Sequence, residues 1–293
     1  MTALGLRLII ALCGLVAAGA PTLASEPTAH PEPAAETRPA VDGVNSKLSL
    51  GGTLSDPNVW GGTGALTIPL GEQFGLQLDG ALASNTGDSD LDVQVYGAGG
   101  HLFWRDPSVA LVGIYGHFLR INVAEELNLF ALGLETERYL GRFSIGVLVG
   151  VVGGDGEIDT DMIAHGKLAY YPTDNLQLSI SPKYGYGNSS LGAEAEYGFG
   201  EISTMAAIFG TASVSETGDQ FFEAGVRVYF GSQNKSLIER HRQDDPSLVS
   251  PLGSTGRIID VTTFECFTNI HRHPSLSLSG TEHPRAPTRI CTQ

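Results

Sequence analysis

The chain has 293 residues, of which 38 are glycine, with 17% charged side chains and a net charge of −15. That balance excludes a nucleic-acid partner, which needs clustered Lys and Arg against phosphate. The length suits one large domain with tails. The cysteines, Cys13, Cys266 and Cys291, form no metal cluster or disulfide framework, although Cys266 and Cys291 are one candidate pair in an oxidising compartment. No cofactor is implied.

Residues 1–24 read as a signal peptide. Arg7 is the positive start, Leu8 to Ala20 the apolar stretch, and Thr22-Leu23-Ala24 a small-residue cleavage site. The apolar run is shorter than the ~20 residues a spanning helix requires. Residues 25–45 are proline-rich and almost without large apolar side chains, which predicts an extended periplasmic linker.

From Lys47 onward, short alternating segments recur with turn signals between them. The pattern predicts twelve strands, at 46–54, 59–69, 73–84, 91–104, 108–121, 126–140, 142–154, 161–171, 175–187, 190–199, 203–214 and 219–230. Their connections alternate between tight turns, such as Leu70-Gly71-Glu72 and Gly141, and polar or acidic ones, such as 84–90, 153–160 and Asn188-Ser189. Short turns at one end and longer loops at the other are the asymmetry of an outer-membrane barrel.

Aromatic residues gather beside the tight turns: Phe74, Phe103, Trp104, Tyr139, Phe143, Tyr170, Tyr171, Tyr197, Phe199 and Phe230. Strand propensity explains their presence in strands, whereas a girdle at one membrane interface explains their bias to one set of ends.

The last predicted strand shows the period most plainly. Phe222, Ala224, Val226, Val228 and Phe230 fall on one face, with Glu223, Gly225, Arg227 and Tyr229 on the other. A soluble sheet buries its apolar face, while a membrane barrel turns that face to lipid. On the second reading Leu76, Leu78, Phe130, Leu132, Leu134, Ile145, Val147, Val149, Leu176, Leu178 and Ile180 face outward. The expected lumen residues are Lys47, Gln77, Asp79, Asp92, Gln94, Glu135, Glu137, His165, Lys167, Lys183, Glu194, Glu196, Glu223 and Arg227.

Residues 47–230, with the leader, resemble the porin-like outer-membrane β-barrel proteins of Gram-negative bacteria. The resemblance rests on the hairpin alternation and on Val226-Arg227-Val228-Tyr229-Phe230, which is similar to the aromatic-ended strand read by the barrel-assembly machinery. It implies an all-β fold, a transmembrane antiparallel up-and-down barrel of about twelve strands. It also implies outer-membrane lipid around the barrel, periplasmic termini, and Val226, Val228 and Phe230 as the assembly signal.

The chain departs from that family by continuing past Phe230. Residues 231–293 carry seven Lys/Arg against six Asp/Glu. Ser236 to Arg242 predicts a short helix stopped by Asp244-Asp245-Pro246. The rest reads either as a disordered periplasmic extension or as a shifted reading frame.

Chemistry is sought first in the lumen charges. With a tight hairpin at Asn188-Ser189, Lys183 is expected opposite Glu194. Glu135, Glu137 and Glu196 supply acid, with Lys167 and Arg227 as counter-charges. Opposed charges across a bore select permeants by charge and size, or they neutralise one another inside a filled barrel. Barrel lipases share a His-x-Ser pair on the outer wall, and His101, His117 and His165 lack that hydroxyl, so no catalytic role is expected. The acidic run 153–159 lacks the ligand spacing of a Ca²⁺ loop. The expectation is a passive channel for small hydrophilic solutes, with a closed structural or surface-interaction barrel as the alternative. A soluble β-sandwich is the remaining option.

Overall fold

The computed structural model describes residues 38–54, 59–85, 93–122, 126–155, 160–185, 188–200, 204–231, 235–244, 246 and 248. The alternating segments become β1 (Asn45–Thr53), β2 (Val59–Leu70), β3 (Phe74–Asn85), β4 (Gln94–Asp106), β5 (Ala110–Asn122) and β6 (Glu126–Leu140). They continue as β7 (Phe143–Gly154), β8 (Asp161–Thr173), β9 (Leu176–Gly185), β10 (Asn188–Phe199), β11 (Thr204–Ser215) and β12 (Gln220–Phe230). One short helix follows among the described residues, α1 (Leu237–Gln243).

Every strand pairs antiparallel with its chain neighbours, and β1 pairs with β12 from Ser46↔Phe230 to Thr53↔Glu223. The sheet is therefore a closed barrel with no free edge. Closure satisfies the ladder hydrogen bonds internally, the condition for backbone to sit in hydrocarbon. An even strand count places Asn45 and Phe230 at one mouth, which also carries the tight turns. Gly71 and Gly141 lie in two of those turns at φ +78° and +56°, where a side chain would be strained.

The outer face is apolar and exposed. Leu48 and Leu50 on β1 stand beside Val228 and Val226 on β12, and the belt continues through Leu78, Leu132, Leu134, Ile180 and Ile208. Leu134 is 64% exposed although it sits mid-strand. Large aliphatics in that position need lipid, and the fold with its belt is that of an outer-membrane β-barrel. Ile145 and Val147 share this face by register but are covered by neighbouring side chains.

The aromatic bias resolves into two populations. Phe74, Phe143, Tyr170, Tyr197, Phe199 and Phe230 are exposed at the tight-turn end, with Phe143 and Tyr170 stacked at 4.8 Å. Phe103, Tyr139 and Tyr171 point inward and are buried. Trp60, Tyr96, Phe118, Phe130 and Phe222 form a second exposed set toward the other mouth.

Two local expectations change. The β9–β10 hairpin pairs Gly185↔Asn188, so its centre lies two residues earlier than predicted. Lys183 therefore faces Ser190, and Glu194 faces Ser179. Because the displacement is even, both side chains stay on the inner face. Gln94 lies on the outer face, accepting a hydrogen bond from the Tyr96 hydroxyl at 3.0 Å. It stands at the long-loop end of β4, where an outward polar group reaches past the hydrocarbon.

Candidate functional site: the barrel interior

The inner wall is divided. Across β3–β6 it is packed: Val95, Phe103, Leu111, Tyr115, Leu119, Ile121 and Leu129 are fully buried. At the long-loop end Val59, Ala83, Val93 and Val95 join Leu119, Ile121 and Leu129 in one apolar cluster. Across β8–β12 the inward positions toward the tight turns, such as Tyr171, Gln177, Met205, Phe209 and Tyr229, are also buried. Further from those turns they are mostly small, hydroxyl-bearing or ionic and half-buried, as at His165, Lys167, Ser181, Lys183, Ser190, Glu194, Thr211, Ser213 and Glu223. Polar wall left partly uncovered is wall that water reaches.

The packed half contains a buried ionic cluster. The His101 ring lies between Glu135, with Nδ1 2.8 Å from Oε1, and Asp79, with Nε2 3.2 Å from Oδ2. Its face meets the Tyr115 ring at 4.5 Å. The Gln77 amide donates to Asp79 at 2.8 Å, and the Thr67 hydroxyl donates to Gln77 at 3.1 Å. Nearer the tight turns the Tyr139 hydroxyl donates to Glu137 at 3.2 Å. Arg105 stacks 4.7 Å over Phe103.

In the open half, Arg227 organises the wall. It pairs with Glu196, donates through Nε to the Ser49 hydroxyl at 3.0 Å, and reaches Glu194 at 3.8 Å. Its guanidinium sits 4.6 Å over Phe209. That ring lies across Gly225, where an added Cβ would come within 2.6 Å of it. The absent side chain lets the aromatic lie flat on the strand.

The tight-turn mouth is filled by the segments flanking the barrel. Helix α1 turns back into it: Ile238 N donates to Asp174 O at 3.0 Å, Leu237 N to the Asn175 side chain at 3.1 Å, and Arg242 to Phe143 O at 2.8 Å. Burial draws the Arg242 guanidinium down from arginine's ordinary range. The Glu239 carboxylate closes the helix start, accepting from Ser236 N at 3.0 Å and from its hydroxyl at 2.8 Å.

His241 is the hub. Its Nε2 lies 2.9 Å from the Tyr229 hydroxyl, which donates to Glu196 at 2.7 Å. Its Nδ1 lies 3.0 Å from the Tyr171 hydroxyl and 3.1 Å from the Gln177 amide nitrogen. Tyr229 has one proton and gives it to Glu196, so His241 Nε2 is the donor to the Tyr229 oxygen.

The N-terminal arm enters from the other side. Ala40 N donates to Glu72 O at 2.7 Å, Arg105 donates to Ala40 O at 3.3 Å, and Ala40 and Val41 pack with Phe103, Leu111 and Tyr139. Lys235 ties the two arms together, contacting Asp42 at 3.3 Å and Asp244 at 2.5 Å. Missing side chains in the wall make room for the plug. A Cβ on Gly146 would lie 2.8 Å from Leu248, and one on Gly198 would lie 3.6 Å from Leu237 Cβ. Only a small cavity of about 10 Å³ remains between plug and wall, lined by Glu137, Lys167, Tyr171, Gln177 and His241 among others.

The expected lumen residues are thus distributed unevenly. His165, Lys167, Lys183, Glu194, Glu223 and Arg227 lie on the open half, with Glu196 buried behind Arg227. Glu135 and Glu137 point inward but are buried in the packed half, so they present no carboxylate to a bore. Asp79 is held against His101, and Asp92 lies outside the described residues. Val226 and Phe230 are exposed on the outer face, with Val228 half-buried beside them. The sequence reading missed His241, Arg242 and Lys235. The inward glycines 146 and 198 near the tight turns were the available signal that something else occupies that space.

No protein-family model and no curated protein matches the chain. Solved structures do. The KdgM porin in complex with disordered oligogalacturonate is 9% identical, with a TM-score of 0.46 over 64% of this chain and 99% of that one. An outer membrane channel from Pseudomonas putida F1 is 11% identical, with a TM-score of 0.47 over 69% and 99%. An active-site mutant of outer membrane phospholipase A from Escherichia coli is 13% identical, with a TM-score of 0.45 over 70% and 95%. These neighbours include both channels and an enzyme, and at TM-scores below 0.5 they decide nothing about this chain. The outer-membrane assignment of the chain rests on its own closed register and apolar belt.

Proposed function

We propose that the protein is a porin-like passive channel for small hydrophilic solutes, closed in this structure at its tight-turn mouth by the plug. The supporting observation is the half-buried inner wall of β8–β12 away from the tight turns, which sets Lys183 on β9 near Glu223 on β12, with Glu194 on β10 beside Glu223. Ionic side chains within a membrane barrel face either a partner or water, and wetted charges of both signs select solutes by charge and size. On this reading both termini are periplasmic, the leader and the barrel-assembly machinery deliver the chain, and the mouth opposite the tight turns faces outward from the cell.

A second reading is a closed structural or surface-interaction barrel. The plug itself and the packed β3–β6 half favour it. Planar-bilayer recording on purified protein separates the two. A channel gives reproducible unitary steps, enlarged when His241 and Arg242 are both changed to Ala; a silent bilayer for both proteins leaves only the closed barrel.

A further inference from the structure

We infer that the two terminal arms are a single hinged gate, with His241 as its latch; this rests on the channel reading above. Three observations carry it.

The arms are separate from the wall in connectivity. Neither lies between two strands, so either can leave without breaking the barrel ladder. Each joins its strand through a glycine at positive φ, Gly43 at +80° before β1 and Gly231 at +131° after β12. Glycine there permits backbone rotations that other residues resist.

The contacts that hold the plug are mostly polar. His241 meets Tyr171, Gln177 and Tyr229, and Arg242 meets Phe143 O and the Ser144 hydroxyl. Such bonds can be exchanged for water when the mouth opens, at small net cost. Among the described residues, the buried apolar contacts are Leu237 against Met205, Ala207 and Tyr229, Leu248 against Tyr115 and Leu148, and Ala40 with Val41 against Phe103, Leu111 and Tyr139.

The arms are also coupled. Lys235 bridges Asp42 of one arm and Asp244 of the other, and the Asn45 amide donates to Asp244 O at 3.5 Å. Release of α1 therefore removes support from the N-terminal arm, and solutes then reach the periplasmic side past Lys167.

The geometry supplies its own test. A Cβ at position 198 would stand 3.6 Å from Leu237 Cβ, inside the ~3.5–4.5 Å span of a disulfide, and the Met205 thioether beside it is flexible. Full-length protein carrying Gly198→Cys and Leu237→Cys, with Cys266→Ser and Cys291→Ser, is recorded in planar bilayers before and after reduction. One sample supplies both states, so folding is common to them.

The gate predicts loss of conductance when oxidised and its return on reduction. Equal conductance in the two states overturns the gate and leaves the channel reading intact. Silence in both states, and also in His241→Ala/Arg242→Ala protein that migrates as a folded barrel, overturns the channel reading itself.

Discussion

The Tyr229 hydroxyl stands between His241 Nε2, at 2.9 Å, and Glu196 Oε1, at 2.7 Å, so one group on the last strand joins the plug to the wall. Tyr229→Phe leaves a buried carboxylate oxygen and an imidazole N–H without that partner. The expected cost is about 1–3 kcal/mol. A double-mutant cycle with His241→Ala, read by urea unfolding in detergent, should give a coupling of about 0.5–3 kcal/mol. Additive effects would mean the two residues do not communicate.

Arg227 and Glu196 form an ion pair in which the carboxylate is buried. Removing one partner of such a pair typically costs ~3–5 kcal/mol because the other charge stays behind. Arg227→Ala should therefore lower the unfolding midpoint well beyond Glu223→Gln, whose carboxyl is only half-buried. Restoration by the second change Glu196→Gln is expected, since it removes the stranded charge. A midpoint unmoved by Arg227→Ala would contradict the pairing.

The plug should shield its own arginines. Arg240 is 1% exposed, and its helix sits against Gly198. Gly198→Val places methyl groups where Leu237 and Met205 now lie. Trypsin should then cut after Arg240 or Arg242 in the variant and spare both sites in the parent. Equal cleavage of the two proteins would place α1 outside the mouth.

The selectivity of an open pore should follow the wetted carboxylates alone. Glu194→Gln with Glu223→Gln should shift the reversal potential toward anions in a KCl gradient. Glu135→Gln should leave it in place, because Glu135 is buried against His101. The opposite ranking would mean that the packed and open halves have been exchanged.

Much of the fold was legible because strand period and facing are the same information. Once Val226 and Glu223 fall on opposite faces, the sidedness of a whole strand follows, and the hairpin alternation orders the strands. A two-residue misplacement of the β9–β10 turn changed the partner of Lys183 without changing its side. Gln94 was misassigned because polarity alone does not distinguish a lumen from the wet rim beyond the belt.

Period two also says nothing about which half of a lumen is filled. Glu135 and Glu194 look alike in sequence, yet one is sealed behind His101 and the other is partly open. The plug was the least legible part. The helix was predicted, but Leu-Ile-Glu-Arg-His-Arg-Gln has no apolar face wide enough to announce burial. It docks instead through hydrogen bonds and through glycine notches in strands far away in the chain.

The division between a greasy exterior and a wetted inner wall can be measured directly by thiol accessibility. Single cysteines at Ser190 and Thr211 on the inner face, and at Ile208 and Val226 on the outer face, are placed in protein carrying Cys266→Ser and Cys291→Ser and folded into lipid vesicles. A charged, membrane-impermeant maleimide should label the first two and spare the second two. Labelling at Ile208 and Val226 with protection at Ser190 and Thr211 would show a dry centre and a solvated exterior, and would contradict the membrane barrel outright.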